Sequence, residues 1–304
     1  MRLPPLLDAM RPRQWVKNFF VFAPLLFSQR WTEGDRVLRT VAAAGLFCAA
    51  SSTIYLVNDV LDREADRLHP KKRLRAIASG ALSPAVAIAA AVALCVGALA
   101  GAWYGLRSEP VALVLATYLA IQSLYSWRLK HLVLLDVLCI ASGFVLRLLV
   151  GGFAADVKQT SWILLCTIFV SLFLALCKRR HEQTSLGEGA SDHRAILAEY
   201  PVALLDQLIA ALATATIVAY SLYTVDATTA TVHHLPSPQE SLPPLLLTVP
   251  YVVYGIFRYL FLVHRRDGGG SPASTLARDV PSIVNVVLFA VTTYGVLRLA
   301  RLPG

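Results

Sequence analysis

Apolar residues along this chain gather into nine long runs, roughly 15–31, 38–60, 84–106, 109–127, 132–154, 161–177, 201–223, 242–263 and 280–300. Each holds about 17–23 residues, enough for a helix to cross the roughly 30 Å of hydrocarbon in a bilayer. The pattern therefore predicts nine transmembrane helices. The first run differs from the rest, with Pro24 in its middle and Arg13 and Lys17 crowding its start. The polar segments between runs are short, the longest being 61–83, 178–200, 224–241 and 264–279. None of them is large enough to build a soluble domain. The expected organisation is a single all-α polytopic membrane domain over residues 1–304.

Composition agrees, at 56% hydrophobic and 15% charged, far from an ordinary soluble domain. The net charge of +9 is explained by topology. With the N-terminus inside, 19 of the 28 Lys and Arg fall on cytoplasmic segments and seven on outer ones, while Arg147 and Arg258 lie within spans. That positive-inside bias predicts a cytoplasmic N-terminus, an external C-terminus and a multi-pass protein of a bacterial-type cell membrane. Nothing in the basic residues points to nucleic acid. The first run is followed by Gln29-Arg30-Trp31 and lacks a small-residue cleavage site, so no cleavable signal is expected. Five cysteines are scattered through the spans without metal-type spacing and read as packing residues.

The second run ends in Asn58-Asp59-Val-Leu-Asp62-Arg-Glu-Ala-Asp66. At about 100° per residue, Asn58, Asp59, Asp62 and Asp66 share an arc of roughly 100° on a helix. Lys71, Lys72, Arg73 and Arg75 follow within a few residues. Hard oxygen ligands beside cations suit Mg²⁺ carrying a phosphorylated substrate, because Mg²⁺ completes its shell with phosphate oxygens. The bland reading is a polar helix cap followed by a basic loop. Four oxygen ligands on one face, leaving a membrane, favour the functional one.

Other polar groups sit on the same predicted side. Arg11-Pro-Arg13-Gln-Trp15-Val-Lys17-Asn18 leads into the first run, where Arg11 and Trp15 read as headgroup anchors. Lys17 lies deeper, where an ammonium needs a partner. After the fourth run comes Tyr125-Ser-Trp-Arg128-Leu-Lys130-His131, and Asp136 lies just inside the fifth. Arg147 is about three turns further on and close to the same face. Ionisable groups inside a span are costly and generally face a polar cavity or a partner. Lys178-Arg179-Arg180-His181-Glu182 follows the sixth run, with Arg194 beyond it. Bases there suit a phosphate, by point charge from Lys and bidentate contact from Arg.

These motifs resemble the UbiA superfamily of intramembrane prenyltransferases over essentially the whole chain. The resemblance rests on the Asn-Asp-x-x-Asp-x-x-x-Asp motif and on Lys72-Arg73-x-Arg75-x-Ile-Ala-Ser-Gly80. Arg-Pro-Arg-Gln-Trp-Val-Lys-Asn at 11–18, Tyr-Leu-Val-Asn-Asp at 55–59, Leu-Lys-His at 129–131 and Lys-Arg-x-x-Glu at 178–182 point to one branch. Members of that branch transfer phosphoribose to a polyprenyl phosphate. The resemblance implies a nine-helix UbiA-type bundle with the lipid chain in a membrane-facing groove and a cytoplasmic polar cap. It also implies catalytic Asp59, Asp62 and Asp66, with Asn58, Asp62 and Asp66 on Mg²⁺. Phosphoribosyl diphosphate and polyprenyl phosphate would be bound among Lys17, Tyr55, Lys72, Arg75, Tyr125, Lys130, Asp136, Arg147, Lys178, Arg179, Glu182 and Arg194.

Two departures stand out. Ala76 occupies the position of a usual proline, which should only loosen the loop. Bases also dominate after the sixth run, where members that prenylate aromatic acceptors carry a second acidic motif. An enzyme activating a prenyl diphosphate wants metal on both sides of the leaving group. One accepting a prenyl monophosphate wants cations there. The alternatives are an aromatic or tetrapyrrole prenyltransferase and, from another class, a lipid carrier without catalysis. Chain length of the lipid, pathway and oligomeric state are left open by the sequence.

Overall fold

The computed structural model describes residues 3–28, 30–70, 72–186, 196, 199–233, 235, 242–265, 275–276 and 278–299. Among the described residues helix is the only regular structure, and the chain divides into two compact units, Met1–Lys158 and Gln159–Gly304. The first holds α1 (Pro5–Ala9), a 3-10 segment (Pro12–Phe22), α2 (Ala23–Phe27), α3 (Gly34–Leu61), α4 (Arg63–Leu68), α5 (Pro84–Ala100), α6 (Glu109–Trp127) and α7 (Leu135–Ala155). The second holds α8 (Ser161–Leu186), α9 (Val202–Val225), α10 (Ala227–His233), α11 (Val249–Arg265) and α12 (Val280–Leu299).

Eight helices among the described residues are long and apolar enough to cross a membrane, the first being α3 and the last α12. They correspond to the second through ninth apolar runs. The first run is not the continuous helix that its length predicted. Its residues wind as a 3-10 helix to Phe22 and restart as the short α2, in which Pro24 stands in the first turn. Proline has no N–H to donate and clashes with the preceding turn, so it suits a helix start and breaks a helix interior.

Local sequence explains the boundaries of the other helices in the first unit. Pro84 opens α5, and the Ser83 hydroxyl caps it by accepting from the Val86 N–H at 3.3 Å. A π-helical turn, Gly101–Gly105, closes the same span. The far end of α7 stops at Asp156, whose backbone is left-handed at φ 51°. There Arg36 of α3 donates to the carbonyls of Ala155 and Asp156, the latter at 2.9 Å, satisfying acceptors that the helix leaves open. Between these ends α3, α6 and α7 enclose an apolar core around Phe47, Tyr118 and Val150, with the Phe47 and Tyr118 rings 4.6 Å apart.

Gly151 of α7 sets the position of the 3-10 segment. A β-carbon at residue 151 would collide with the Val21 carbonyl oxygen and stand 3.1 Å from the Pro24 ring. The backbone approaches α7 this closely only because glycine has no side chain.

In the second unit α8 and α9 pack along one another. The Phe173 and Tyr259 rings meet edge-on at 5.7 Å, and the Tyr220 hydroxyl bonds that of Thr248 at 2.7 Å. Asp279 caps α12 by accepting from the Ser282 N–H at 3.0 Å and its hydroxyl at 2.7 Å. It also receives Arg258 of α11 through two bonds, 2.7 and 3.0 Å. These bonds, led by the one from Arg258, hold the Asp279 carboxyl well below the usual carboxylate range.

Candidate functional site

The acidic motif forms where α3 gives way to α4. Asn58 and Asp59 lie in the last turn of α3, Asp62 forms the joint at φ −88° and ψ 4°, and Asp66 lies in α4. The hydrogen bonds Asp62 N–H to Asn58 carbonyl, 2.9 Å, and Asp66 N–H to Asp62 carbonyl, 2.8 Å, carry helical winding across the joint. The four side chains therefore stay on one side, as their spacing predicted.

Each carboxylate is met by a cation from another segment. Arg75 lies one residue beyond the 3-10 turn Lys72–Leu74. It reaches Asp66 at 2.6 Å and Asp59 at 3.1 Å through one nitrogen. Arg11 pairs with the same Asp59 oxygen, and its guanidinium lies 5.0 Å from the Tyr55 ring centre. Lys130, in the turn after α6, meets Asp62 at 2.6 Å. The Asn58 amide nitrogen donates to the other Asp62 oxygen at 3.0 Å. Asp59 and Asp66 are each 3% exposed, so pairing is obligatory: a buried, uncompensated carboxylate is heavily destabilising.

Metal fit follows from the donor chemistry. Four hard oxygen groups that already attract three side-chain cations make a strongly cation-seeking surface of the kind a hard divalent ion uses. Asn58 and Asp62, one turn apart with Asp62 about a third exposed, are the accessible part of it. Among the described residues the carboxylates do not converge as a preformed metal cage. Side-chain cations stand between them, because like charges this close require compensation.

The other candidates of the first unit are spread around this cluster's elements. Lys17 is exposed on the 3-10 segment beside buried Asn18, and Lys72 is exposed in the turn before Arg75. Tyr125 is half-buried in the last turn of α6, and Asp136 is fully buried in the first turn of α7. Arg147 is bonded to Asn18 at 2.8 Å and surrounded by aromatic rings. Within the second unit, Glu182 takes Arg179 at 2.5 Å and Lys178 at 3.5 Å. Arg194 lies outside the described residues.

Two ion-pairing arrangements escaped the sequence reading, one in each unit. Arg11, assigned to lipid headgroups, is carried to Asp59 by a left-handed backbone (φ 54°) just before Pro12. An arginine followed by proline at the entrance to a span was the available signal. In the second unit, Asp206 of α9 pairs with Arg180 at 2.5 Å and lies 3.5 Å from His264 of α11. No local pattern announces that link, which joins residues far apart in the chain.

Comparison with known proteins shows the family. Residues 18–278 match the UbiA prenyltransferase family. The decaprenyl-phosphate phosphoribosyltransferase of Mycolicibacterium smegmatis is 34% identical over 280 residues, 90% of this chain and 86% of that one. The protein of the same name from Mycobacterium tuberculosis is 37% identical over 219 residues, 71% of this chain and 72% of that one. A solved structure of a UbiA homolog from Archaeoglobus fulgidus, bound to DMAPP and Mg²⁺, superposes with a TM-score of 0.69 at 19% identity. It covers 97% of this chain and 99% of that one, and at that identity the likeness concerns the fold.

Proposed function

The chain belongs to the UbiA prenyltransferase family, and from that premise we infer that it is a polyprenyl-phosphate phosphoribosyltransferase. It moves the 5-phosphoribosyl group of phosphoribosyl diphosphate onto a decaprenyl-type phosphate and releases diphosphate. Relatives named decaprenyl-phosphate phosphoribosyltransferase support the assignment at 34–37% identity. The structural observation that carries it is the acidic motif of α3 and α4 with cations drawn to it from three separate segments, at Arg11, Arg75 and Lys130.

In this reading Asn58, Asp62 and Asp66 would hold Mg²⁺ with Asp59 alongside, and the ion would supply neutralising charge for a diphosphate group. Arg75 and Lys130 exchange carboxylate oxygens for phosphate oxygens of the donor, to which they bond at least as well. Exposed Lys17 and Lys72 extend the same positive surface. Tyr55 and Tyr125 border the ribose. An oxygen of the acceptor phosphate bonds to the anomeric carbon as the bond to diphosphate breaks, with inversion. A phosphate monoester is already anionic near neutral pH, so no strong base is required.

The 3-10 segment and α2 complete a ninth crossing. Eleven residues at about 2.0 Å and five at about 1.5 Å reach about 30 Å, the hydrocarbon thickness. The acidic motif then faces the cytoplasm, in accord with the distribution of Lys and Arg.

The test uses membranes containing the protein, labelled phosphoribosyl diphosphate, polyprenyl phosphate and Mg²⁺. Label should pass to the lipid phase, need the metal, and disappear in Asp62→Asn. Activity on a prenyl diphosphate with an aromatic acceptor instead would replace the substrate assignment. A chain that binds the lipid, transfers nothing and tolerates Asp62→Asn would be a carrier.

A further inference from the structure

Arg147 is a buried cation of the first unit. It lies within the α7 span and is 5% exposed. Its guanidinium is stacked among Phe47, Tyr118 and Phe144, 4.7, 5.4 and 5.7 Å from their ring centres. Nη1 donates to the Gly143 carbonyl of its own helix at 2.7 Å, and Nε donates to the Asn18 side-chain oxygen at 2.8 Å. Among the described residues no carboxylate pairs with it. A cation inside a span is costly. Aromatic faces offset part of that cost, and the remaining partners are neutral oxygens.

Asn18 is the other half of the arrangement. It is 2% exposed, and its amide nitrogen reaches Cys48 at 3.1 Å and Ser51 at 3.4 Å, both on α3. One side chain thus joins α7 to α3 through the 3-10 segment. Three residues per turn align Trp15, Asn18 and Val21 along that segment. Trp15 donates to the Ser52 hydroxyl at 3.1 Å, and Val21 is fully buried over Gly151. At the head of the line Arg11 meets Asp59. The segment is 11 residues long, whereas 3-10 runs beyond three or four are uncommon. Bonds to α3 and α7, more than its own backbone ladder, hold its register.

We propose that Asn18 and Arg147 are positioning residues: together they fix the register of Pro12–Phe22 and so place Arg11 on the acidic motif. The inference rests on the functional reading above and gives Arg147 a different task from the phosphate contact expected of it. It makes the buried guanidinium act on the reaction through Arg11, without touching substrate.

The experiment compares Asn18→Leu, Arg147→Met, Arg147→Lys and Arg11→Gln, with doubles built on Arg11→Gln, in the full chain. Asn18→Leu and Arg147→Met should each raise KM for phosphoribosyl diphosphate about tenfold while kcat stays within about threefold. Arg147→Lys should behave like Arg147→Met, since an ammonium lacks the two-point guanidinium geometry. None of the three should add to the loss caused by Arg11→Gln. Backbone amide exchange over 12–22 should quicken, with α6 unchanged. Losses additive to Arg11→Gln, or losses confined to KM for polyprenyl phosphate, would overturn the proposal. Should the wild-type chain transfer no phosphoribose, the functional reading falls and exchange alone decides. Unchanged exchange over 12–22 then overturns the register claim, and faster exchange supports it. If Arg147→Met does not fold, Asn18→Leu and Asn18→Ser carry the same comparison.

Discussion

Arg75 bridges two buried carboxylates. One of its nitrogens serves both Asp59 and Asp66, and removing it leaves buried Asp66 without its arginine beside Asp59, which keeps Arg11. Arg75→Gln should lower stability by about 3 kcal/mol, toward the low end for broken buried pairs because the arginine is itself partly exposed. Thermal unfolding of purified protein checks this, and the doubly neutral Asp66→Asn/Arg75→Gln should recover part of the loss. Lys130→Met makes the contrasting case, since Asp62 is far more exposed. Its stability should change by less than about 1 kcal/mol, while transfer activity at limiting donor falls about tenfold or more. The acidic residues and Arg75 were legible in the sequence, because helical spacing and proximity in the chain bring them together. Lys130, 68 residues from Asp62, was singled out only as a base beside an aromatic turn at the end of a span. Arg11 and Asn18 were not legible. Their partners lie 48 and 129 residues away, and the left-handed turn that aims Arg11 has no hydrophobic pattern to reveal it.

Among the elements, apolar run length predicted nine helices, eight of which are continuous helices of spanning length among the described residues. The exception has a local cause, as run length reports hydrophobicity and is blind to winding. Pro24 marked the break, while the 3-10 form depends on a neighbour, Gly151, that lies far along the chain. Gly151→Ala should push the 3-10 segment off α7 and cost about 1–3 kcal/mol, the usual range for overpacking, with donor KM rising as Arg11 shifts. Melting and kinetics on one preparation would show both. The start of α12 makes a pH prediction. The Asp279 carboxyl is depressed by Arg258, so its stabilising contribution is present above the unfolded value of about 3.9 and lost as pH falls toward the folded one. Acid unfolding of Asp279→Asn should therefore show a shallower dependence below about pH 4 than the parent chain.

At the scale of the whole chain, the proposed orientation puts the acidic motif and the turn after α6 on the cytoplasmic side, and it can be tested directly. An impermeant thiol reagent on intact cells should label a cysteine placed at Asp156 and spare one placed at Arg128. The reverse pattern would invert the orientation. The native cysteines interfere little, because all five lie inside spanning helices and none is exposed.

The 28-residue α3 also has a direction. Its peptide dipoles leave roughly half a negative charge at the C-terminal end, where Asn58, Asp59 and Asp62 gather. Helices usually place bases in that turn, and α3 has none there. It borrows them from Arg11 at the entrance to the 3-10 segment, the turn after α4 and the turn after α6. The last turn of α3 thus has its negative end compensated by cations from other segments. Its fraying should report occupancy: amide exchange over 58–66 should be fastest when Arg75 and Lys130 are both neutralised and slowest with Mg²⁺ and donor together. Substrate binding and the completion of a helix end would then be one event.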